Sequence, residues 1–151
     1  MLFRSDGVDA VSLNKMKQAL EAAGAQTKII APHLGNNVAA NGKQIKVDQS
    51  LLTAASVLFD AVYIPGGQKS STSLQKEPNA IEFINEAFKH CKAIAAEGEG
   101  TELLFITNAG IKINSKGKTA KNHMADGVLL NRNSKEFIKA IAQHRFWERE
   151  N

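Results

Sequence analysis

Cysteine is almost absent from this chain: Cys91 is the only thiol among 151 residues. A single cysteine excludes an internal disulfide and any paired-cysteine metal motif, and it fits a reducing cytoplasm. His33, His90, His123 and His144 lie in separate segments without His-x-x-x-His spacing, so no metal site is expected. Tryptophan and tyrosine occur once each. Nineteen Lys and Arg against 15 Asp and Glu leave a net charge of +4, but the cations are scattered. Without a basic stripe interleaved with aromatics, nucleic acid is not an expected partner. No apolar run is long enough to cross a bilayer and no charged-then-apolar leader opens the chain, so no membrane association is expected.

What is present is ordinary for a globular protein: 43% hydrophobic and 23% charged residues, without repeat or linker. A single domain over residues 1–151 is the reading. Residues 1–4 are a short apolar start, too brief for a central strand of about five or six residues. From Asp9, Leu13, Met16, Leu20 and Ala23 recur at helical spacing until Gly24 stops them. Residues 27–31 read as a strand closed by Pro32. Residues 38–47 read as a hairpin turning at Asn41-Gly42 in type I′ geometry, an excursion from the main sheet. Residues 50–57 suggest a short helix or turn. The run 59–64 reads as a buried strand ended by Pro65-Gly66-Gly67.

Residues 68–77 are polar and read as a loop with one helical turn. Pro78 opens a helix at its first position, with Ile81, Ile84, Phe88 and Cys91 stepping along one face. That register makes Cys91 a packed thiol rather than a nucleophile. Residues 111–121 suggest two weak strands about a polar turn. Residues 127–130 make a last strand, and Ser134 caps a closing helix bearing Phe137, Ile138 and Ile141. Strands and helices alternate throughout, which implies an α/β fold with a mostly parallel sheet covered on both faces.

The chain is organised around residues 92–104. Ala93 to Ala96 is a short apolar run, Glu97-Gly98-Glu99-Gly100 a sharp turn, and Thr101 with Glu102 suits the first turn of a helix. Strand, glycine turn and helix have the shape of a nucleophile elbow. Its apex is Gly98, so the elbow carries no nucleophile. Gly66-Gly67 either presents backbone N–H groups to an oxyanion or is a tight turn needing positive φ. Glu97, Glu99 and Asp9 either form an acidic cluster at the strand ends or are solvated turn residues. Gly98-Glu-Gly-Thr-Glu-Leu103 is half a dinucleotide fingerprint with leucine at the third glycine, so no nucleotide cofactor is expected.

Several segments in order carry a family resemblance: Asp6-Gly-Val-Asp9, Gly24-Ala-Gln-Thr27, Ala31-Pro-His-Leu-Gly35, Asp60-Ala-Val-Tyr-Ile-Pro-Gly-Gly67, residues 86–96 and His144-Arg-Phe-Trp-Glu-Arg149. Together they resemble the C-terminal domain of large-subunit haem catalases, within the DJ-1/PfpI superfamily, a class I glutamine amidotransferase-like group. The resemblance implies a flavodoxin-like, three-layer α/β/α sandwich with a small added hairpin. Active superfamily members carry a Cys-His-Gly elbow and an acidic residue in the first strand–helix loop. These positions fall on Gly98, Glu99 and Asp9, and the oxyanion turn falls on Gly66 and Gly67.

Glycine offers no nucleophile, so the resemblance implies an accessory domain rather than a hydrolase. A haem core needs a tyrosinate and a distal histidine pocket, and Tyr63 has Phe59 rather than arginine four residues before it. No haem and no catalase activity are therefore expected of this chain. Residues 1–4 stand where relatives have a full first strand. This suggests a truncated strand in either a fragment of a larger catalase or a free-standing relative. The expected partners are a catalase haem core, unfolded client proteins for a chaperone-like role in oxidative stress, or a second copy. The alternative is a small-molecule hydrolase or lyase using a carboxylate-lined pocket.

Overall fold

A computed structural model describes residues 2–3, 6–115 and 124–150. In chain order the elements are β1 (Leu2–Phe3), α1 (Ala10–Ala22), β2 (Ile29–Ala31), β3 (Asn36–Val38), β4 (Gln44–Lys46) and β5 (Gln49–Ser50). Then come β6 (Ala61–Ile64), α2 (Gln68–Gln75), α3 (Pro78–Lys89), β7 (Ala93–Ala96) and α4 (Gly100–Phe105). The last are α5 (Asn108–Ser115), β8 (Met124–Ala125), β9 (Val128–Leu130) and α6 (Ser134–Ala142), with 3₁₀ turns at Ser56–Leu58 and Trp147–Glu150. The main sheet runs β5-β2-β1-β6-β7-β9-β8, and every pairing in it is parallel except that of β8 with β9.

The order β2-β1-β6-β7-β9 is the flavodoxin-like one. β6 and β7 are buried at all four positions, which is why they read as unbroken apolar runs. On one face Leu13, Met16 and Leu20 of α1 and Phe137 of α6 pack with Ile29, Tyr63 and Leu129. On the other, Leu74 of α2, Phe83 and Ile84 of α3, Leu103 of α4 and Ile113 of α5 cover Ile30, Val62, Ile64 and Ile94. The three-layer α/β/α expectation holds. β3 and β4 pair separately as the added hairpin.

Several local expectations are corrected. The first strand is central after all: Leu2 pairs with Ile29 on one side and Tyr63 on the other. Residues 68–75 form a full helix, not a loop. Only Leu74 is apolar, so no period is visible, yet Ser70 and Ser71 are small enough to be buried beside it. Residues 108–115 are helical rather than strand. Exposed Ile111 and buried Ile113 mimic alternation, whereas buried Ala109 and Ile113, four apart, mark the true period. The rest of that expected segment, 116–121, lies outside the described residues.

The hairpin turn is not type I′, since Asn41 keeps negative φ and only Gly42 is left-handed at +81°. Its ends close through Ala39 N–H to Lys43 O at 2.8 Å and Gly42 N–H to Ala39 O at 2.9 Å. The cap of α6 is Asn133, in a reciprocal box with Glu136, and Ser134 is the first helical residue. Cys91 is fully buried, but not on the face of α3, which ends at Lys89 and buries Ala80, Phe83, Ile84 and Ala87. It sits past the helix end at φ 59°, where Cys91 and Lys92 N–H bond back to Phe88 and Ala87 carbonyls.

Candidate functional site

In an open parallel sheet, ligands bind beyond the carboxyl ends of the strands where the connections diverge. Here that point lies between β1 and β6, and three loops meet there: residues 7–9 after β1, 65–67 after β6 and 97–99 after β7. The backbone ties them together. Asp9 N–H donates to Gly66 O at 2.9 Å and Glu97 N–H to Ile64 O at 3.0 Å. The hairpin braces the first loop, with Gly7 N–H to Val38 O at 2.8 Å and Ala40 N–H to Val8 O at 2.9 Å. Gly67 has no room for a side chain: at φ 115°, a Cβ there would run into the Gly7 carbonyl.

Gly98 is the apex of the β7–α4 turn, exposed, at φ 54°. Its N–H donates to Asn131 Oδ1 at 2.7 Å. α4 begins at Gly100, and the Thr101 hydroxyl donates to Gly98 O at 2.8 Å instead of capping the helix. The carboxylates around this apex each accept from donors of the protein. Glu97 Oε2 accepts from the Tyr63 hydroxyl at 2.7 Å and the Ser12 hydroxyl at 2.9 Å, and those hydroxyls lie 2.8 Å apart. Glu99 Oε2 accepts from Gly67 N–H at 2.9 Å, which holds its carboxyl below the usual range. Asp9 Oδ1 caps α1, accepting from Val11 N–H at 3.1 Å and Ser12 N–H at 3.3 Å.

The sites singled out by sequence thus share one end of the sheet, where Asp9 and Glu97 both accept from Ser12 and Glu99 accepts from Gly67. The Gly67 amide that an oxyanion would use is taken by the Glu99 side chain. A neighbouring cavity of about 290 Å³ is lined by Ser12, Lys15, Glu97, Arg132 and Lys135 among others. Glu97 is the sole acid among those lining residues, so this cavity is more cationic than carboxylate-lined.

Ser12, Tyr63 and Asn131 are the contributors that sequence reading passed over. One signal was available for Tyr63: a lone tyrosine in a buried strand must find a partner for its hydroxyl. Ser12, one helical turn past the Asp9 cap, is placed by α1 to supply it.

The same geometry tests a haem. A haem tyrosine must reach iron as the phenolate. Tyr63 is buried with its hydroxyl committed to Glu97 and Ser12, and burial followed by the Glu97 carboxylate pushes the phenol well above its ordinary value. Those residues do not fit a haem ligand. Among the described residues, no group of three or more His, Cys, Asp or Glu side chains is arranged to hold a metal ion. No helix among them is long and apolar enough to cross a membrane.

The fission yeast Schizosaccharomyces pombe DJ-1 superposes with a TM-score of 0.72 at 12% identity, over 94% of this chain and 87% of that one, a likeness of fold. Catalase HPII of Mycobacterium avium is 37% identical over 96% of this chain, and Catalase-1 of Neurospora crassa 32% identical over 97%. In both cases the match spans 22% of the relative, so the chain corresponds to about a fifth of those enzymes. Residues 2–151 match the model of the C-terminal domain found in long catalases, and the chain belongs to that family.

Proposed function

We propose that this chain is a non-catalytic, cytoplasmic accessory domain of a long catalase, stabilising a haem core that lies outside it. One observation carries the reading. The elbow apex is Gly98, which has no nucleophile, and the adjacent Gly67 amide is already bound by Glu99. A small-molecule hydrolase or lyase would need Asp9, Glu97 or Glu99 as acid or base, and each is occupied by donors of the protein itself. Peroxide breakdown then belongs to a haem region elsewhere, and the contribution of this domain is contact. Self-association of the domain would serve the same end.

The test is to add the chain to a long catalase lacking the matching domain and follow peroxide decomposition during heating. The expected result is a longer half-life of the core at equimolar chain. Turnover of peroxide, esters or glyoxals by the chain alone would sink the reading.

A second reading rests on a separate observation. Leu52, Val57 and Leu58 lie within seven residues and are 76%, 79% and 66% exposed. Such apolar surface suits chaperone-like binding of partly unfolded clients. Light scattering of a heat-denaturing client would fall with added chain, and would rise again with Val57→Ser and Leu58→Ser, if this holds.

A further inference from the structure

The amino-terminal ends of β6 and β7 carry a charge imbalance that the fold leaves unsettled. Lys92, leading into β7, is 3% exposed and donates from Nζ to Ser56 O at 2.6 Å. The Arg145 side chain is 16% exposed and donates from Nη1 to His144 O at 2.8 Å. Burial, followed by the charge of Arg145, holds the Lys92 ammonium below its ordinary value, so the two cations act on one another. Among the described residues, the one ion pair to either of them is Arg145 Nη2 with Asp60 Oδ1 at 3.4 Å. Asp60 is 69% exposed. Two poorly solvated cations therefore face a single carboxylate that is itself mostly in water. Carbonyls satisfy their N–H groups but leave the net charge uncompensated.

Apolar surface adjoins this spot. The Ser56 carbonyl held by Lys92 opens the 3₁₀ turn Ser56–Leu58, in which Val57 and Leu58 are exposed. Phe59 anchors the turn from within, its ring centroid 6.0 Å from that of Phe83. Leu58 and Asp60 border a cavity of about 560 Å³, whose walls also include Leu20, Phe137 and Ile141. We propose that residues 56–60 with Arg145 form a docking surface for a partner segment that pairs an aliphatic side chain with a carboxylate. The aliphatic group seats on Val57 and Leu58, and the carboxylate shares the Arg145 guanidinium with Asp60. Lys92 is too buried to touch the partner and is a positioning residue that holds the turn from behind.

Charge complementarity selects this occupant. An incoming carboxylate offsets the surplus cation. Pairing with a second copy about a two-fold axis through the patch would set the same cations against each other. An unfolded client needs the apolar part alone. The identity of the partner as the haem-bearing region of a long catalase rests on the accessory-domain reading, whereas the chemistry of the surface does not.

The test follows binding of the whole chain to a long catalase lacking the matching domain, by sedimentation velocity, with the fold of each variant checked by circular dichroism. Arg145→Gln and Val57→Ser should each weaken binding on the order of tenfold. Val11→Ser, at an exposed position of α1, should leave it unchanged. Asp60→Asn supplies a sign that a merely structural role would not. Removing the competing carboxylate should tighten binding roughly threefold, while Glu102→Gln, an equal change of net charge at the elbow end, should not. Weakening by Asp60→Asn overturns the proposal. A peptide alternating leucine and glutamate, and its glutamine counterpart, separate the two readings through chemical-shift changes at Val57 and Leu58. Preference for the glutamate peptide, lost in Arg145→Gln, in a chain that ignores the catalase core upholds the surface and sinks the accessory reading. Binding of the core that is indifferent to Asp60, Arg145 and Val57 sinks the surface alone. Suppression of client aggregation that depends on Val57 but not on Asp60 or Arg145 overturns the acidic partner in favour of unfolded chains.

Discussion

The two ends of the sheet differ in how completely the protein satisfies itself. At the carboxyl ends, where this fold ordinarily carries its chemistry, three loops are tied by backbone bonds. Glu97 and Glu99 through Oε2 and Asp9 through Oδ1 accept from neighbours in the same chain. At the amino ends, a cavity of about 560 Å³ lies between strand approaches, with a buried amide oxygen unpartnered and apolar side chains exposed nearby. One architecture thus carries bonded carboxylates at one end of the sheet and a larger cavity at the other. Location in a fold indicates where chemistry is possible.

The sharpest way to break this contrast is Gly67→Ala. Its Cβ would drive the β6 turn off the Gly7 carbonyl, and a loss of about 4 kcal/mol is expected from strain and overlap together, read in denaturant unfolding. Next come two truncations on α1. Leu13 is fully buried toward the closed end and Leu20 borders the cavity. Leu13→Ala should cost about 3 kcal/mol and Leu20→Ala about 2 kcal/mol, because a site already beside a void loses fewer contacts. Equal costs would remove the asymmetry between the ends.

Gly98→Cys sharpens the functional side. A Cβ there has only the Gly66 Cα near it, at 3.5 Å, so the cost is the left-handed backbone, about 1 kcal/mol. The new exposed thiol should react with iodoacetamide, while buried Cys91 stays unmodified in the native protein. Ester or glyoxal turnover should remain undetectable because Glu99 still holds the Gly67 amide, and measurable turnover would show that only the nucleophile had been lacking.

The smallest effect is one of pH. The Glu99 carboxyl is held below its ordinary value by the Gly67 N–H, so the unfolded state binds its proton more readily. Its contribution is present above the unfolded value, about 4.3, and is lost as pH falls through the lower folded value. The melting temperature of the parent should exceed that of Glu99→Ala slightly at pH 6, and the gap should close as pH falls through the lower folded value.

Much of the architecture was legible in local pattern. Apolar runs bounded by glycine or proline marked β6 and β7. Helical spacing of Leu13, Met16 and Leu20 marked α1, and Pro78 marked the start of α3. The elbow turn at Gly98 and the Pro-Gly-Gly turn were visible because glycine advertises backbone geometry. Less legible were α2 and α5, whose buried residues are small or too few to set a period, and the end of α3, where Cys91 continued the pattern after the helix had stopped.

The sequence by itself determined the alternation, the family and the absence of a nucleophile at residue 98, since these depend on residue type and order. Only the tertiary structure decided that Glu97 turns to Tyr63 and Ser12 and that Glu99 closes over Gly67. The same holds for β1, a short strand placed centrally beside a cavity. The hydrogen bonds of Glu97 and Glu99 join groups 32 to 85 residues apart in the chain. Hydrogen bonds and close packing are set by distances that local propensity does not encode.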